Sequence, residues 1–189
     1  MDKYSNFKTL AANEILNRDY SIQIQDIGSN ITIIAPHGGL IEPRTSLIAK
    51  LISGDTYNHY CFEGIKEKNN HDLHITSHRF DEPSALDLIL SSDVIITIHA
   101  CKDKEELIYI GGGFKKLASD IQGALENLNI KILKNERFLG AHPNNICNKG
   151  KRKKGVQLEI SRGLRDDLKK LKSISRAIQK VLKLFVCHD

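Results

Sequence analysis

Short runs rich in β-branched residues, separated by amphipathic stretches, constrain this chain most. Residues 30–35 (NITIIA) are too short for an independent helix and nearly unbroken in apolar character, and 93–99 (DVIITIH) and 156–160 (VQLEI) are further strand-like runs. Such runs read as strands buried on both faces, the pattern of a parallel sheet covered by helices. Alternation predicts a half-buried strand at 21–27, 57–63 reads as a second buried strand, and shorter strands are expected at 73–76, 107–110 and 130–133. The 3.6-residue periodicity predicts helices at 8–17, 43–53, 83–90, 114–128 and 164–184. Pro83 suits the first turn of the third helix, and Asp81 and Glu82 complement its dipole. Strands alternating with helices specify an α/β fold: a single three-layer domain with a mixed, largely parallel sheet between helices.

The length of 189 residues fits one domain over 1–189, and a hydrophobic fraction of 40% supplies a core. No apolar run approaches the roughly 20 residues that span a bilayer, so no membrane partner is expected. The first 21 residues lack the apolar block and cleavage site of a secretory signal, which predicts a cytoplasmic protein, or one released by lysis. Cys61, Cys101, Cys147 and Cys187 form no C-x-x-C pair and read as free thiols. The formal charge of +5 favours an anionic partner. The run Lys149-Gly150-Lys151-Arg152-Lys153-Lys154 is the densest basic cluster, but no aromatic residue interleaves with it. It reads as a solvated loop tip rather than a stacking platform for nucleic acid.

In open α/β sheets, ligands collect beyond the carboxyl ends of the strands. His37 follows 30–35, His99 ends 93–99, and Glu159 lies near the end of 156–160. Glu42 comes five residues after His37, and Gly38 and Gly39 let the loop bend back. Two imidazoles and a carboxylate with an open fourth position make a catalytic zinc set. Taken singly, each has a bland reading: a turn histidine, or a charge at a helix N-terminus. The coincidence of strand ends is what points to one ion. His74 and His78 are spaced i, i+4 but lie in an extended-looking segment, which argues against a second metal pair.

The string Ala35-Pro36-His37-Gly38-Gly39-Leu40-Ile41-Glu42-Pro43 resembles the signature of the poly-γ-glutamate hydrolases of Bacillus phages and their bacterial relatives. Further segments follow in order: 60–64 (YCFEG), 73–77 (LHITS), 80–83 (FDEP), the strand ending at His99, 110–112 (IGG), 145–148 (NICN), and 155–161 (GVQLEIS) with 163–165 (GLR). The resemblance is strongest over 30–166. It implies a zinc carboxypeptidase-like fold, one Zn2+ ion on His37, Glu42 and His99, and cleavage of γ-linked glutamyl bonds in an acidic polymer. It also implies Glu159 as the catalytic carboxylate. Arg165, one helical turn further on, is the expected oxyanion cation. Arg44, Arg79, Asn145, Asn148 and Lys149 are the expected substrate contacts. Four positions depart from the family pattern: Arg44 replaces a small residue, Lys149 replaces an arginine, and Gly113-Phe114 replaces an apolar residue and an aspartate. Lysine keeps the charge but loses the bidentate fork.

Two other classes compete. A different zinc amidase would use the same donor set on other acyl-amino acids. A nucleic-acid-binding protein would explain a pI near 9.0. The chain has no helix-turn-helix, zinc-finger or aromatic RNA-binding pattern, so no specific nucleic acid is expected. A monomer acting on poly-γ-glutamate is the expectation carried forward.

Overall fold

The computed structural model describes residues 2–134 and 138–186. Helix α1 (Phe7–Ala11) precedes the edge strand β1 (Tyr20–Gln25) and the central strand β2 (Ile31–Gly39). Then come α2 (Thr45–Ser53), β3 (Asn58–Gly64), a 3-10 turn (Asn70–Leu73), α3 (Pro83–Leu90) and β4 (Val94–Ala100). The second half holds β5 (Leu107–Gly111), α4 (Lys115–Glu126), β6 (Lys131–Leu133), a 3-10 turn (Ile146–Asn148), β7 (Val156–Ile160), α5 (Arg162–Arg165) and α6 (Leu168–Val186).

The seven strands form one sheet in the order β1-β3-β2-β4-β7-β5-β6. Strands β3, β2, β4 and β7 run parallel, whereas β1 pairs antiparallel with β3 and β5 antiparallel with β7. The chain passes from β2 to β3 through α2, then returns through α3 to β4 on the other side of β2. The direction of winding therefore reverses between β2 and β4, which is where an α/β sheet opens a crevice.

Alternation within each strand divides the core. Ile31, Ile33 and Ala35 of β2, Ile96 and Ile98 of β4, and Leu158 and Ile160 of β7 pack against α2, α4 and α6. Ile34, Ile95, Tyr60 and Phe62 face the other way, toward α1, α3 and the aromatic cluster around Phe80. Each fully buried isoleucine contributes about 1.5–3 kcal/mol relative to exposure.

Three expected elements differ. Residues 73–76 form no strand: His37 Nε2 holds the Ile75 carbonyl and Asp2 holds the Thr76 amide, so side chains take the backbone groups a ladder would use. The helix expected over 164–184 is two helices. Asp167 Oδ1 accepts from the amides of Lys169 and Lys170 and starts α6 afresh. The first helix stops at Ala11, where the 8–17 expectation ran on. No helix among the described residues is long and apolar enough to cross a membrane.

Candidate metal centre and cleft

Strand β2 runs on through Pro36 and His37 to Gly39, beyond the predicted end. Its pairing with β3 passes from Ala35↔Cys61 to Gly38↔Glu63, so β2 carries one extra residue there. Pro36 has no N–H for the ladder, and a bulge is the usual accommodation. Strict alternation would send His37 toward α2 with Ala35. The extra residue turns it to the opposite face, against His74, Ile75 and Phe80. Pairing between β2 and β4 has already ended at Ile34↔Thr97, while β4 continues beside β7 to Ala100↔Ile160. The gap so opened receives the side chain.

After the bulge the loop folds back tightly. A Cβ at Gly38 would collide with the Ser46 hydroxyl and the Phe62 carbonyl, so the close approach to α2 and β3 requires glycine there. The Glu42 amide donates to the His37 carbonyl at 2.8 Å, and the Thr45 hydroxyl donates to the Glu42 carbonyl at 2.8 Å. The Glu42 carboxylate is thereby returned to His37. Its Oε1 lies 3.3 Å from His37 Nδ1, and its Oε2 lies 3.6 Å from His99 Nδ1. The Ala100 amide donates to Oε2 at 3.0 Å and fixes the carboxylate.

The two Nδ1 atoms are 3.2 Å apart. The Ile75 carbonyl, 2.8 Å from His37 Nε2, can only accept, so Nε2 carries the proton and Nδ1 presents a lone pair. His99 Nε2 faces the Ser77 hydroxyl at 3.4 Å. One donor atom from each of His37, Glu42 and His99 thus lies within 4.8 Å of the others, in a buried pocket. Bonds of roughly 2.0–2.1 Å to a tetrahedral zinc ion separate its ligands by roughly 3.3 Å. The donor set fits such an ion in chemistry and spacing. Burial would raise the Glu42 pKa, but the close contacts with His37 and His99 outweigh it and hold the carboxylate well below its usual range. Burial would lower that of His99, but the bond to Glu42 raises it overall.

His99 and Glu159 are cross-strand partners in β4 and β7, so the Glu159 side chain stands on the same face as the donor set. Glu159 is buried, and Gln157, two residues earlier on that face, donates from Nε2 to its Oε1 at 3.1 Å. Asn145 Nδ2 donates in turn to Gln157 Oε1 at 2.9 Å, and Asn145 Oδ1 accepts from the Cys147 amide at 3.1 Å. The last bond fixes which end of each amide points where.

These groups open into a cleft of about 1420 Å³, lined among others by Asp2, His74, Lys102, Tyr109, His142 and Arg165. Arg165 is braced against three carbonyls: Nε on Ile160 at 3.1 Å, and its terminal nitrogens on Pro43 at 2.5 Å and Cys101 at 3.2 Å. Two of its five N–H groups remain without a hydrogen-bond partner among the described residues. Asn145 borders the cleft, but Arg44, Arg79, Asn148 and Lys149 do not. Arg44 donates to the Arg165 carbonyl and Arg79 to Asp2. Asn148 is saturated by Gly113, Gly140, His142 and Gly155. Lys149 reaches the Phe80 carbonyl at 3.3 Å. The basic run beside it is partly absorbed by packing: Arg152 lies 5.6 Å from the Phe185 ring centroid and Lys154 lies 4.3 Å from that of Phe114. Cys101 lines the cleft, but burial pushes its thiol up to about 12, so it is no thiolate nucleophile at neutral pH.

A family model described as poly-gamma-glutamate hydrolase matches residues 4–187. The chain belongs to the poly-gamma-glutamate hydrolase family. The match extends past 30–166 in both directions and takes in the C-terminal helices. The UPF0714 protein YndL of Bacillus subtilis (strain 168) is 36% identical over 181 residues, covering 94% of this chain and 71% of its own length. The solved structure of a bacteriophage poly-gamma-glutamate hydrolase superposes with a TM-score of 0.94 at 26% identity, covering 100% of both chains. A zinc-free apo structure of YndL superposes with a TM-score of 0.91 at 31% identity, over 97% of this chain and 98% of that one.

Proposed function

We propose that the protein is a zinc-dependent amidohydrolase that cleaves the γ-glutamyl peptide bonds of poly-γ-glutamate. One observation carries the reading. The Nδ1 atoms of His37 and His99 and the Glu42 carboxylate converge beside Glu159 in an open cleft, in a chain of this family.

His37, Glu42 and His99 would hold the ion, which when bound supplies a Lewis acid and makes water acidic enough to attack at neutral pH. Glu159 takes the proton of the attacking water and returns it to the nitrogen of the departing amine. Gln157 favours the anionic form of that carboxylate by donating to Oε1, and it orients the group. Arg165 sets a fixed positive charge in the cleft wall, and its two remaining N–H groups serve the developing oxyanion. Asn145 and Lys102 border the cleft and are placed to meet substrate carboxylates.

The reading is tested with Glu159→Gln and His37→Ala. Glu159→Gln keeps full zinc content and melting temperature while kcat on poly-γ-glutamate falls by about 10²–10⁴. His37→Ala loses both zinc and activity. A Glu159→Gln protein that cleaves at the wild-type rate would remove Glu159 from the chemistry.

A further inference from the structure

Helix α6 carries six basic residues and no acidic one. Its inner face, Leu171, Ile174, Ile178 and Leu182, is fully buried against the sheet and against α2 and α4. Lys169, Lys172, Arg176, Lys180 and Lys183 follow one another at intervals of three and four residues and are all exposed. At 100° per residue they fall on one stripe opposite the buried face, and at about 1.5 Å per residue they span about 21 Å. None of the five forms a side-chain ion pair among the described residues. By contrast Lys170, off the stripe, is paired with Glu106.

The stripe also holds a small pocket of about 190 Å³, lined by Leu51, Lys172, Ser175, Arg176 and Gln179. Ser175 is 2% exposed, and its hydroxyl has no hydrogen-bond partner among the described residues. A buried hydroxyl without a partner costs free energy, and helical serines usually avoid this by bonding the preceding turn. Lys172 and Arg176 both line this space, so a carboxylate that enters it meets two cationic side chains. Guanidinium and carboxylate match in geometry as well as charge.

We infer that the outer face of α6 is a second, non-catalytic binding site for a polycarboxylate chain, with the pocket between Lys172 and Arg176 seating one carboxylate. The occupant is the polymeric substrate, an assignment that rests on the function proposed above. α6 begins three residues after Arg165 of the cleft wall, so the stripe starts at the cleft rim and runs down the far side of the sheet. A long polyanion reaches both surfaces at once, and the second contact becomes intramolecular. A short oligomer reaches only one.

The test compares wild type with Lys172→Ser/Arg176→Ser/Lys180→Ser, which leaves the cleft and the buried face of α6 unchanged. KM for long poly-γ-glutamate should rise about 10-fold, while kcat/KM for a short γ-glutamyl oligomer and the melting temperature stay at wild-type values. Equal KM values for the long polymer would overturn the site. Binding is also measured without turnover, by anisotropy of labelled poly-γ-glutamate on Glu159→Gln protein. Stripe-dependent binding there supports the site even if hydrolysis of that polymer is never observed, so failure of the catalytic reading remains separate. Tighter stripe-dependent binding of duplex DNA at equal charge and salt would overturn the polycarboxylate assignment.

Discussion

At the scale of single residues, the chain Asn145–Gln157–Glu159 holds the least obvious information. All three side chains are buried, and each amide has one orientation that satisfies the set. Gln157→Met keeps the volume but removes the donor to Glu159. The expected result is a kcat lowered about 10-fold with KM and zinc content unchanged, the cost of one charge-assisted hydrogen bond of about 1.5 kcal/mol. Asn145→Asp turns a donor into an acceptor, so Gln157 must flip and present its carbonyl to Glu159. Its loss should match that of Gln157→Met, and the double variant should lose no more than either alone. A raised KM with additive losses would instead make the two residues direct substrate contacts. The sequence placed Glu159 at a strand end but gave Gln157 no distinction. Its signal was present, since residues two apart on a strand share a face. By the same logic His37, Glu42 and His99 were legible as a set of strand-end donors, whereas Arg44, Arg79, Asn148 and Lys149 were not separable from real cleft residues. A cation in a loop has no period to say which way it points.

Elements explain what the sequence missed. The strands at 93–99 and 156–160 were readable because β-branched runs this short have no other stable use in an α/β domain. The bulge at Pro36–His37 was not readable, although it decides which face the first histidine takes. Residues 73–76 were misread because their backbone partners come from distant side chains. Asp2 holds the segment most firmly: its carboxylate accepts from the Thr76 amide at 2.8 Å, the Thr76 hydroxyl at 2.7 Å and Arg79 at 2.8 Å, and it pairs with His74. Burial would raise its pKa, but the Thr76 and His74 contacts outweigh this and lower it to about 2. A carboxyl with a depressed folded-state pKa stabilises above its unfolded value of 3.8, and the contribution is lost as pH falls toward 2. Asp2→Asn should therefore lower the melting temperature at pH 7 by about 2–4 °C, about 1 kcal/mol for a domain of this size. Between pH 4 and pH 2 the wild type should lose this advantage and the two curves should converge. A constant gap across that window would show that Asp2 acts through packing alone.

For the whole molecule, the winding sense is what makes the site. Reversal between β2 and β4 opens a crevice, and His37, Glu42, His99 and Glu159 all reach it from the ends of parallel strands and the loops that follow. The helices α2, α4 and α6 cover the opposite face, which keeps the cleft open and leaves the basic stripe of α6 facing solvent. A net charge of +5 is thus unevenly spread, with an uninterrupted row on one helix. The central claim is that a single ion on His37, Glu42 and His99 is required for cutting γ-glutamyl bonds. The most direct measurement is a zinc titration of chelator-stripped protein, following bound metal and shortening of poly-γ-glutamate together, with poly-α-glutamate as the control. The account predicts that cleavage of the γ-linked polymer returns in proportion to zinc and saturates at one equivalent, with the α-linked polymer left intact. Full activity in the stripped protein, or saturation without any cleavage of the γ-linked polymer, would contradict it.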